Sequence, residues 1–223
     1  MDKTIQISGF VKKDLLLLSH FLKDPSRAFT ISQIKALSRN NSHHYVFSAL
    51  KRFCSLGLLF ESKFGQTNTY TLDFRNLNHL PVFAFVESLV AESKNNIPFR
   101  NIEKISEKMG KSFYCLLVYG SYAEQKESKT SDLDIAFIVP DSDVKKQYEI
   151  ALRAGTLMQP EVHGFVFSED EFYQMLVNDE FNVGKEIIRN HVILYGGEQY
   201  YRLLFKALKH GFKSENLSDK GKK

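Results

Sequence analysis

The sequence predicts an α+β protein made of two different modules joined by a helix, and two observations lead to this fold class. Apolar residues at helical spacing and two short β-rich runs occupy residues 1–75, whereas strands of the buried type and further helices alternate from about residue 98 onward. The charge divides as well, because residues 1–75 carry 11 basic and 5 acidic side chains and residues 76–205 carry 13 and 19. Opposite net charges favour two modules with different partners.

The composition excludes several classes of protein. With 223 residues and 43% hydrophobic residues, the chain is long and apolar enough to bury a core. No apolar run approaches the roughly 18 residues that span a bilayer, and the N-terminus lacks the basic-then-apolar order of a signal peptide. We therefore expect a cytoplasmic protein with no membrane partner. Cys54 and Cys115 lie in apolar surroundings, which favours free thiols over a disulfide or a metal site.

Three helices are predicted in the basic segment. Apolar residues recur at helical spacing over residues 10–23. Thr30 followed three residues later by Gln33 is a capping-box pattern at the start of a short second helix. A third helix, apolar on one face and polar on the other, follows Asn40-Asn41-Ser42 and ends at Gly57.

A β-hairpin follows these helices, since β-rich runs at residues 58–64 and 69–73 flank a polar, Gly-containing turn. Over residues 10–75 this order of elements resembles the winged helix-turn-helix family. The resemblance implies that the third helix enters the major groove of duplex DNA and that the hairpin touches the DNA backbone. Winged helices also serve as docking or dimerisation modules, and that alternative stays open. The candidate DNA-binding residues are His44, Ser48, Lys51, Arg52 and Lys63.

Two strand-like runs carry the residues with the clearest chemistry. Residues 112–119 form a continuous β-rich run that opens into Gly120-Ser121, and residues 133–139 form a second run that begins beside Asp132 and Asp134. Residues two apart on a strand point to the same side, so both carboxylates face one place. Two like charges held together need a cation, and carboxylate oxygens suit Mg²⁺.

The Gly-Ser pair completes a phosphate-binding pattern. Gly120 at a strand end lets a phosphate approach the backbone, and Ser121 offers a hydroxyl and an amide at the start of a short helix over residues 122–126. The order strand, Gly-Ser, ten residues, Asp-x-Asp, strand resembles the DNA polymerase β-like nucleotidyltransferase superfamily. In particular, GSYAEQKESKTSDLDIAFIV is similar to the motif of the minimal nucleotidyltransferases, and the likeness extends over roughly residues 98–208.

This resemblance implies a nucleotidyltransferase-fold α/β domain with a short mixed sheet. It also implies transfer of a nucleoside monophosphate from an NTP to a hydroxyl acceptor, with two Mg²⁺ ions as cofactors. The candidate nucleotide-binding residues are Gly120, Ser121 and Ser131, and the candidate metal ligands are Asp132 and Asp134. The candidate catalytic residues are Asp132, Asp134, Glu161 and His163.

The chain departs from the family pattern at two places. The family has Ala-Arg-Gly where this chain has Ala123-Glu124-Gln125, so a cation and a glycine are missing near the phosphates. The family's third metal-binding carboxylate corresponds to His163. Glu161 lies two positions earlier on the same face, so it can supply the missing carboxylate, or His163 can act as a ligand or general base. Alternatively, the third ligand and catalysis are both lost.

Two functions from different classes follow from these patterns. The first is a Mg²⁺-dependent nucleotidyltransferase that a winged helix brings to a protein or nucleic-acid acceptor such as RNA. The alternative is a DNA-binding transcriptional regulator whose degenerate nucleotidyltransferase domain senses a nucleotide or dimerises. The resemblance also suggests a third function, in which the protein is one half of a toxin-antitoxin pair. The nucleotide, the acceptor and the oligomeric state are left open.

The predicted organisation has four parts. They are a winged helix-turn-helix domain at residues 1–76, a connecting helix within 77–97, a nucleotidyltransferase domain at 98–210 and a flexible basic tail at 211–223.

Overall fold

The structure is a computed structural model that describes residues 10–107, 113–140, 145, 148–149 and 152–213. It is an α+β protein, as predicted, and its described strands form a three-stranded and a four-stranded sheet. No helix within these ranges has both the length and the apolar character needed to cross a membrane.

The three predicted N-terminal helices are confirmed. They are α1 (Lys12–Lys23), α2 (Ile31–Leu37) and α3 (His43–Ser55). The capping box of α2 forms as expected: the Gln33 amide donates to Thr30 Oγ1 at 3.2 Å, and the Thr30 amide donates to Gln33 Oε1 at 2.8 Å. Gly57 follows α3 with a φ of +72°, a conformation that favours glycine and ends the helix.

The first sheet contains the predicted hairpin and one strand that sequence reasoning missed. Its strands are β1 (Phe29–Thr30), β2 (Leu59–Phe64) and β3 (Thr67–Leu72), all antiparallel in the order β1-β3-β2. The predicted four-residue turn is wrong, because Thr67 and Asn68 pair with Phe64 and Lys63 and leave only Gly65 and Gln66 in the turn. Assignment of these elements to the winged helix-turn-helix family stays a prediction.

The second sheet is mixed, as predicted, and it carries the candidate site. Its strands have the order β6-β5-β4-β7, with β5 and β6 parallel and the other neighbours antiparallel. In chain order the elements of this region are α5 (Phe99–Ser106), β4 (Cys115–Tyr119), α6 (Gly120–Glu124), β5 (Leu133–Val139), a 3₁₀ turn (Ala154–Leu157), β6 (Val162–Ser168), α7 (Glu169–Val177), α8 (Val183–Arg189), β7 (His191–Tyr195) and α9 (Gly197–Lys209).

Some predicted boundaries move, and others fall outside the described residues. Strand β4 begins at Cys115, and Phe113 and Tyr114 precede it outside the strand. Helix α6 begins at Gly120, two residues before the predicted start, so both Gly120 and Ser121 lie in its first turn. The predicted end of α5 at Met109-Gly110, the predicted strand start at Ser112 and the tail beyond residue 213 lie outside the described residues.

The connecting helix is confirmed, and it is a central element of the core. A 3₁₀ turn (Leu77–His79) leads into α4 (Leu80–Glu92), which has Pro81 in its first turn. Helix α4 packs against α1, α9 and β7, and its buried residues Leu80, Phe83, Val86 and Leu89 belong to a cluster that also includes α3 and β4, whereas Ala91 belongs to a second apolar cluster. The N-terminal and C-terminal parts therefore share the first cluster, and the proposed domain boundaries stay a prediction.

A carboxylate on α4 is buried inside this core. Glu87 is 7% exposed, and its Oε1 accepts a hydrogen bond from the Tyr201 hydroxyl on α9. Burial raises the pKa of Glu87 to about 7, and the Tyr201 hydrogen bond opposes this rise. The side chain thus has a titration range near neutral pH.

A second buried carboxylate joins α1 to α3. Asp14 is 1% exposed and accepts hydrogen bonds from the Tyr45 hydroxyl at 2.6 Å and from Arg52 Nη2 at 2.8 Å. Burial, followed by this hydrogen bond to Asp14, raises the pKa of Tyr45. Because the Asp14 charge is compensated by side chains of α3, the contact holds α3 against α1.

We predict that stability falls with rising pH because of Glu87. The pKa of Glu87 is about 7 in the folded protein against an ordinary value of 4.5, so the folded state holds this proton more tightly. The stabilisation is complete below pH 4.5 and is lost as the pH rises to about 7. Glu87→Gln keeps an acceptor for Tyr201 without the charge, and it should add about 2–3 kcal/mol to the free energy of unfolding at pH 8.

Urea unfolding at pH 4.5 and pH 8 measures this effect. The variant should show a weaker pH dependence than the wild type over that interval, and an equal dependence in both proteins would contradict the assignment of the titration to Glu87.

We also predict that Asp14→Ala lowers the free energy of unfolding by about 3 kcal/mol, because it leaves the Tyr45 hydroxyl without its acceptor and removes the partner of Arg52. Chemical denaturation measures the change. As a matched control, Asp170→Asn on the exposed first turn of α7 should change stability by less than about 0.5 kcal/mol. Similar losses in the two variants would argue against a structural role for the buried carboxylate.

Candidate nucleotide and metal site

The site begins where β4 turns into α6. Gly120 has a φ of +67°, which L side chains rarely adopt, and a Cβ built there would lie 2.5 Å from Asp134 Oδ2. The backbone conformation thus favours glycine, and a side chain at this position would displace the Asp134 carboxylate. This close contact between the predicted Gly-Ser turn and the Asp-x-Asp segment brings the two halves of the sequence motif together.

The antiparallel pairing of β4 with β5 explains the contact. Val118 pairs with Ile135, so the end of β4 lies beside the beginning of β5, where Asp134 is half-buried. Burial raises the pKa of Asp134, and the negative charge of Asp132 raises it further, whereas His163 lowers it. The two aspartates therefore interact, as the i, i+2 spacing predicts.

The parallel pairing of β5 with β6 brings the other predicted catalytic residues to the same place. Leu133 pairs with Val162 and Asp134 with His163, and the Leu133 amide donates to the Glu161 carbonyl oxygen at 2.8 Å. Gly164 permits this pairing, since a Cβ there would overlap the backbone of Ile135. The residues at the beginning of β5 are consequently neighbours of those at the beginning of β6.

Three of these residues form a cluster that can hold a metal ion. One ligand atom from each of Asp132, Glu161 and His163 lies within 4.8 Å of the other two, and Glu161 Oε1 is 2.7 Å from His163 Nε2. Carboxylate oxygens and an imidazole nitrogen are suitable donors for a divalent cation. The sequence predicts Asp132 and Asp134 as metal ligands, with Glu161 or His163 as a further ligand. The structure groups Asp132 with Glu161 and His163, and the Asp134 carboxylate approaches Gly120.

The predicted nucleotide-binding serines have different surroundings. Ser121 is partly exposed in the first turn of α6, next to Gly120. Ser131 Oγ instead accepts a hydrogen bond from the Ser128 amide at 2.9 Å, which organises the loop before β5. Ser131 therefore has a structural partner in the loop, and its contact with a nucleotide stays a prediction.

The departure from the Ala-Arg-Gly pattern affects the end of α6, where Glu124 and Gln125 stand in place of arginine and glycine. Gln125 ends α6 in the left-handed conformation, with a φ of +57° and a ψ of 40°, where the family has glycine. A non-glycine residue in this conformation costs on the order of 1 kcal/mol. The Glu124 carboxylate, in place of the family's cation, accepts a hydrogen bond from Lys126 Nζ at 2.7 Å.

Residues that sequence reasoning missed hold α6 from the α4 side. Lys94 Nζ donates to the Ala123 carbonyl oxygen at 3.0 Å, and Asn96 Nδ2 donates to the Tyr122 carbonyl oxygen at 2.9 Å. The Tyr122 carbonyl oxygen also accepts a hydrogen bond from the Gln125 amide, so the side-chain contacts add to the capping of the last turn of the short helix. Nothing in the sequence signals them, because each pair is more than 25 residues apart along the chain.

An open cleft of about 540 Å³ runs along the outer edge of β6, next to the metal-ligand cluster. Its lining includes His163, Phe165, Arg153 and Thr156, and the Phe165 ring is 49% exposed. The volume lies in the range of small-molecule sites, and the lining offers an aromatic ring that suits a base and a guanidinium that suits a phosphate. Sequence reasoning did not identify this cleft.

The predicted DNA-binding residues of the basic segment differ in whether their side chains are free to contact DNA or already have partners within the protein. Lys51 Nζ donates to Glu61 Oε2 at 2.6 Å, and Arg52 Nη2 donates to the buried Asp14 carboxylate. His44 and Lys63 are exposed, and Ser48 is partly exposed. Both positive charges on α3 thus have acidic partners within the protein, which the sequence did not indicate.

Comparison with known proteins leaves the family of the chain unassigned. No protein-family model matches the sequence, and no curated protein matches it. Among solved structures, the chain is similar to one described as "Crystal structure of the toxin-antitoxin with AMP-PNP", with 17% identity, 51% of this chain and 84% of that chain covered, and a TM-score of 0.34. A likeness at this TM-score establishes neither a shared fold nor a function.

Proposed function

We propose that this protein is a metal-dependent nucleotidyltransferase that transfers a nucleoside monophosphate from an NTP to a hydroxyl acceptor, which loses its proton, with release of pyrophosphate. The observation that carries the proposal is the contact of Gly120 with Asp134, where the positive φ favours glycine and a Cβ would come within 2.5 Å of Asp134 Oδ2 and displace the carboxylate. This contact joins a Gly-Ser turn to a pair of interacting carboxylates, the combination that the sequence motif requires.

The residues of the site suit divalent cations. The charge of Asp132 acts on Asp134, and a ligand atom of Asp132 lies within 4.8 Å of ligand atoms of both Glu161 and His163, so we expect Asp132 to be the carboxylate that two ions would share. By resemblance these ions are Mg²⁺, and when bound they neutralise phosphate charge and steady the attacking and leaving oxygens. The protein's own part is to hold the carboxylates in place and to present Gly120 and Ser121 to the phosphates.

The cleft beside β6 supplies the remaining requirements of a substrate site. Phe165 offers a half-exposed ring on which a base can stack, and Arg153 offers a cation for phosphate or acceptor. His163 lies both in the cleft and in the metal-ligand cluster, so it connects the two. In this proposal a hydroxyl of a protein or RNA acceptor enters from the same side.

A regulator with a degenerate, nucleotide-sensing domain is the second candidate, and one observation favours it. His163 stands where the family has its third carboxylate, and it forms an ion pair with Glu161 when its imidazole is protonated. A site of this kind can bind a nucleotide without transferring it. The two candidates therefore differ in product formation rather than in binding.

We predict that transfer depends on the two aspartates. The protein should label an acceptor in a cell lysate when it is incubated with Mg²⁺ or Mn²⁺ and one of four α-³²P-labelled NTPs. The Asp132→Asn, Asp134→Asn double variant should lose at least about 100-fold of this activity, because it removes the carboxylates that hold the cations. Gel autoradiography measures the incorporated label.

Asp170→Asn is the matched control, since it removes one exposed carboxylate elsewhere and should retain wild-type labelling. If no NTP gives labelling while the wild type still binds nucleotide, the nucleotidyltransferase proposal is wrong and the nucleotide-sensing regulator is favoured.

We also propose that the basic segment binds duplex DNA through the exposed end of the hairpin. Lys63→Ala should weaken binding and reduce the slope of log affinity against log salt by about 1. Lys51→Ala should have a smaller effect, because Glu61 already neutralises the Lys51 ammonium group. Glu61→Gln should strengthen DNA binding, because it frees the Lys51 ammonium group from this ion pair. Fluorescence anisotropy over a salt series measures these changes. Affinity that does not change with salt would exclude this mode of binding.

A further inference from the structure

The candidate site brings several carboxylates together at one end of the second sheet. Asp132, Asp134 and Glu161 lie at the beginnings of the neighbouring parallel strands β5 and β6. Within the described part of the chain, these carboxylates form no ion pair with a lysine or arginine. Carboxylates held together without fixed positive charge favour binding of a cation.

The only nitrogen donor in the metal-ligand cluster is His163. It is 48% exposed on its side chain, so it can turn toward a bound ion without disturbing the core. The ligand atoms of the cluster lie within 4.8 Å of one another. Asp132 and His163 are exposed and Glu161 is partly exposed, so rotation of these side chains would let all three act as ligands of one ion. The Glu161–His163 contact at 2.7 Å opens in the process.

The donor set determines which ion it prefers. Mg²⁺ takes oxygen ligands and keeps several waters, and imidazole adds little to its affinity. Imidazole nitrogen binds first-row transition ions more strongly than it binds Mg²⁺. Mn²⁺ has the lowest affinity among these ions, so retention of Mn²⁺ against Mg²⁺ is a stringent test of the preference. A carboxylate at position 163 would remove this distinction, because all three donors would then be oxygen.

We propose that Asp132, Glu161 and His163 form a binding site for a divalent first-row transition ion, which the site takes in preference to Mg²⁺. The proposal concerns the same residues as the proposed function and names the metal that this site selects. It depends on direct binding and not on turnover, so it can fail or succeed separately from nucleotidyl transfer.

Titration of the full chain with Mn²⁺ tests the proposal, with free Mn²⁺ measured by electron paramagnetic resonance. One Mn²⁺ per chain should stay bound in about a hundredfold excess of Mg²⁺. His163→Ala should weaken binding of this ion at least about tenfold. The proposal would be overturned if Mg²⁺ displaces Mn²⁺ from the wild type, or if His163→Ala retains Mn²⁺ as well as the wild type does.

His163→Asp provides the sharper test, since it keeps three ligands and changes only the nitrogen to an oxygen. This variant should still bind Mn²⁺, but Mg²⁺ should now displace the ion, so the selectivity falls at least about tenfold. Glu103→Gln on α5 is the matched control and should keep the wild-type selectivity. Circular dichroism confirms that each variant is folded. Equal selectivity in His163→Asp and the wild type would overturn the proposal.

The outcomes separate the two proposals. Selective Mn²⁺ binding without labelling of any acceptor supports the metal site and counts against the enzyme. Labelling that is supported equally by Mg²⁺ and Mn²⁺, with no Mn²⁺ retained against Mg²⁺, supports the enzyme and overturns the metal selectivity.

Discussion

The approach of Gly120 to Asp134 is the contact on which the candidate site depends. It requires a left-handed backbone at the end of β4, the absence of a side chain there, and the antiparallel register that places the start of β5 alongside. If any of these conditions fails, the Gly-Ser turn and the carboxylates separate. The site is therefore a property of the register between two strands rather than of either strand alone.

The second constraint is the parallel pairing of β5 with β6. This pairing puts His163 beside Asp134 and Glu161 beside Leu133, so residues about 30 positions apart surround one point. Gly164 makes the pairing possible, because a side chain there would strike the backbone of Ile135. Two glycines, one in each pairing, thus determine how the charged groups meet, and Lys94 and Asn96 then connect the short helix α6 to the segment that follows α4.

Much of the local structure follows directly from the sequence. The capping box of Thr30 and Gln33 predicts the start of α2 correctly, because both partners lie within one helical turn. The hairpin turn and the first residue of β4 were misplaced, since strand ends are determined by pairing with a neighbour rather than by propensity. The ion pairs of Lys51 and Arg52 were missed for the same reason, as Glu61 and Asp14 come from other elements.

By itself the sequence determined the fold class and the order of most elements, and it predicted the candidate site residues Gly120, Ser121, Asp132, Asp134, Glu161 and His163. It did so because periodicity, capping and motif spacing are local properties of the chain. Only the tertiary structure decided which of these residues form a group. It placed Asp132 with Glu161 and His163, brought Asp134 against Gly120, and neutralised the basic face of α3. Distances between side chains on different strands depend on register and burial, and neither can be calculated from spacing along one chain.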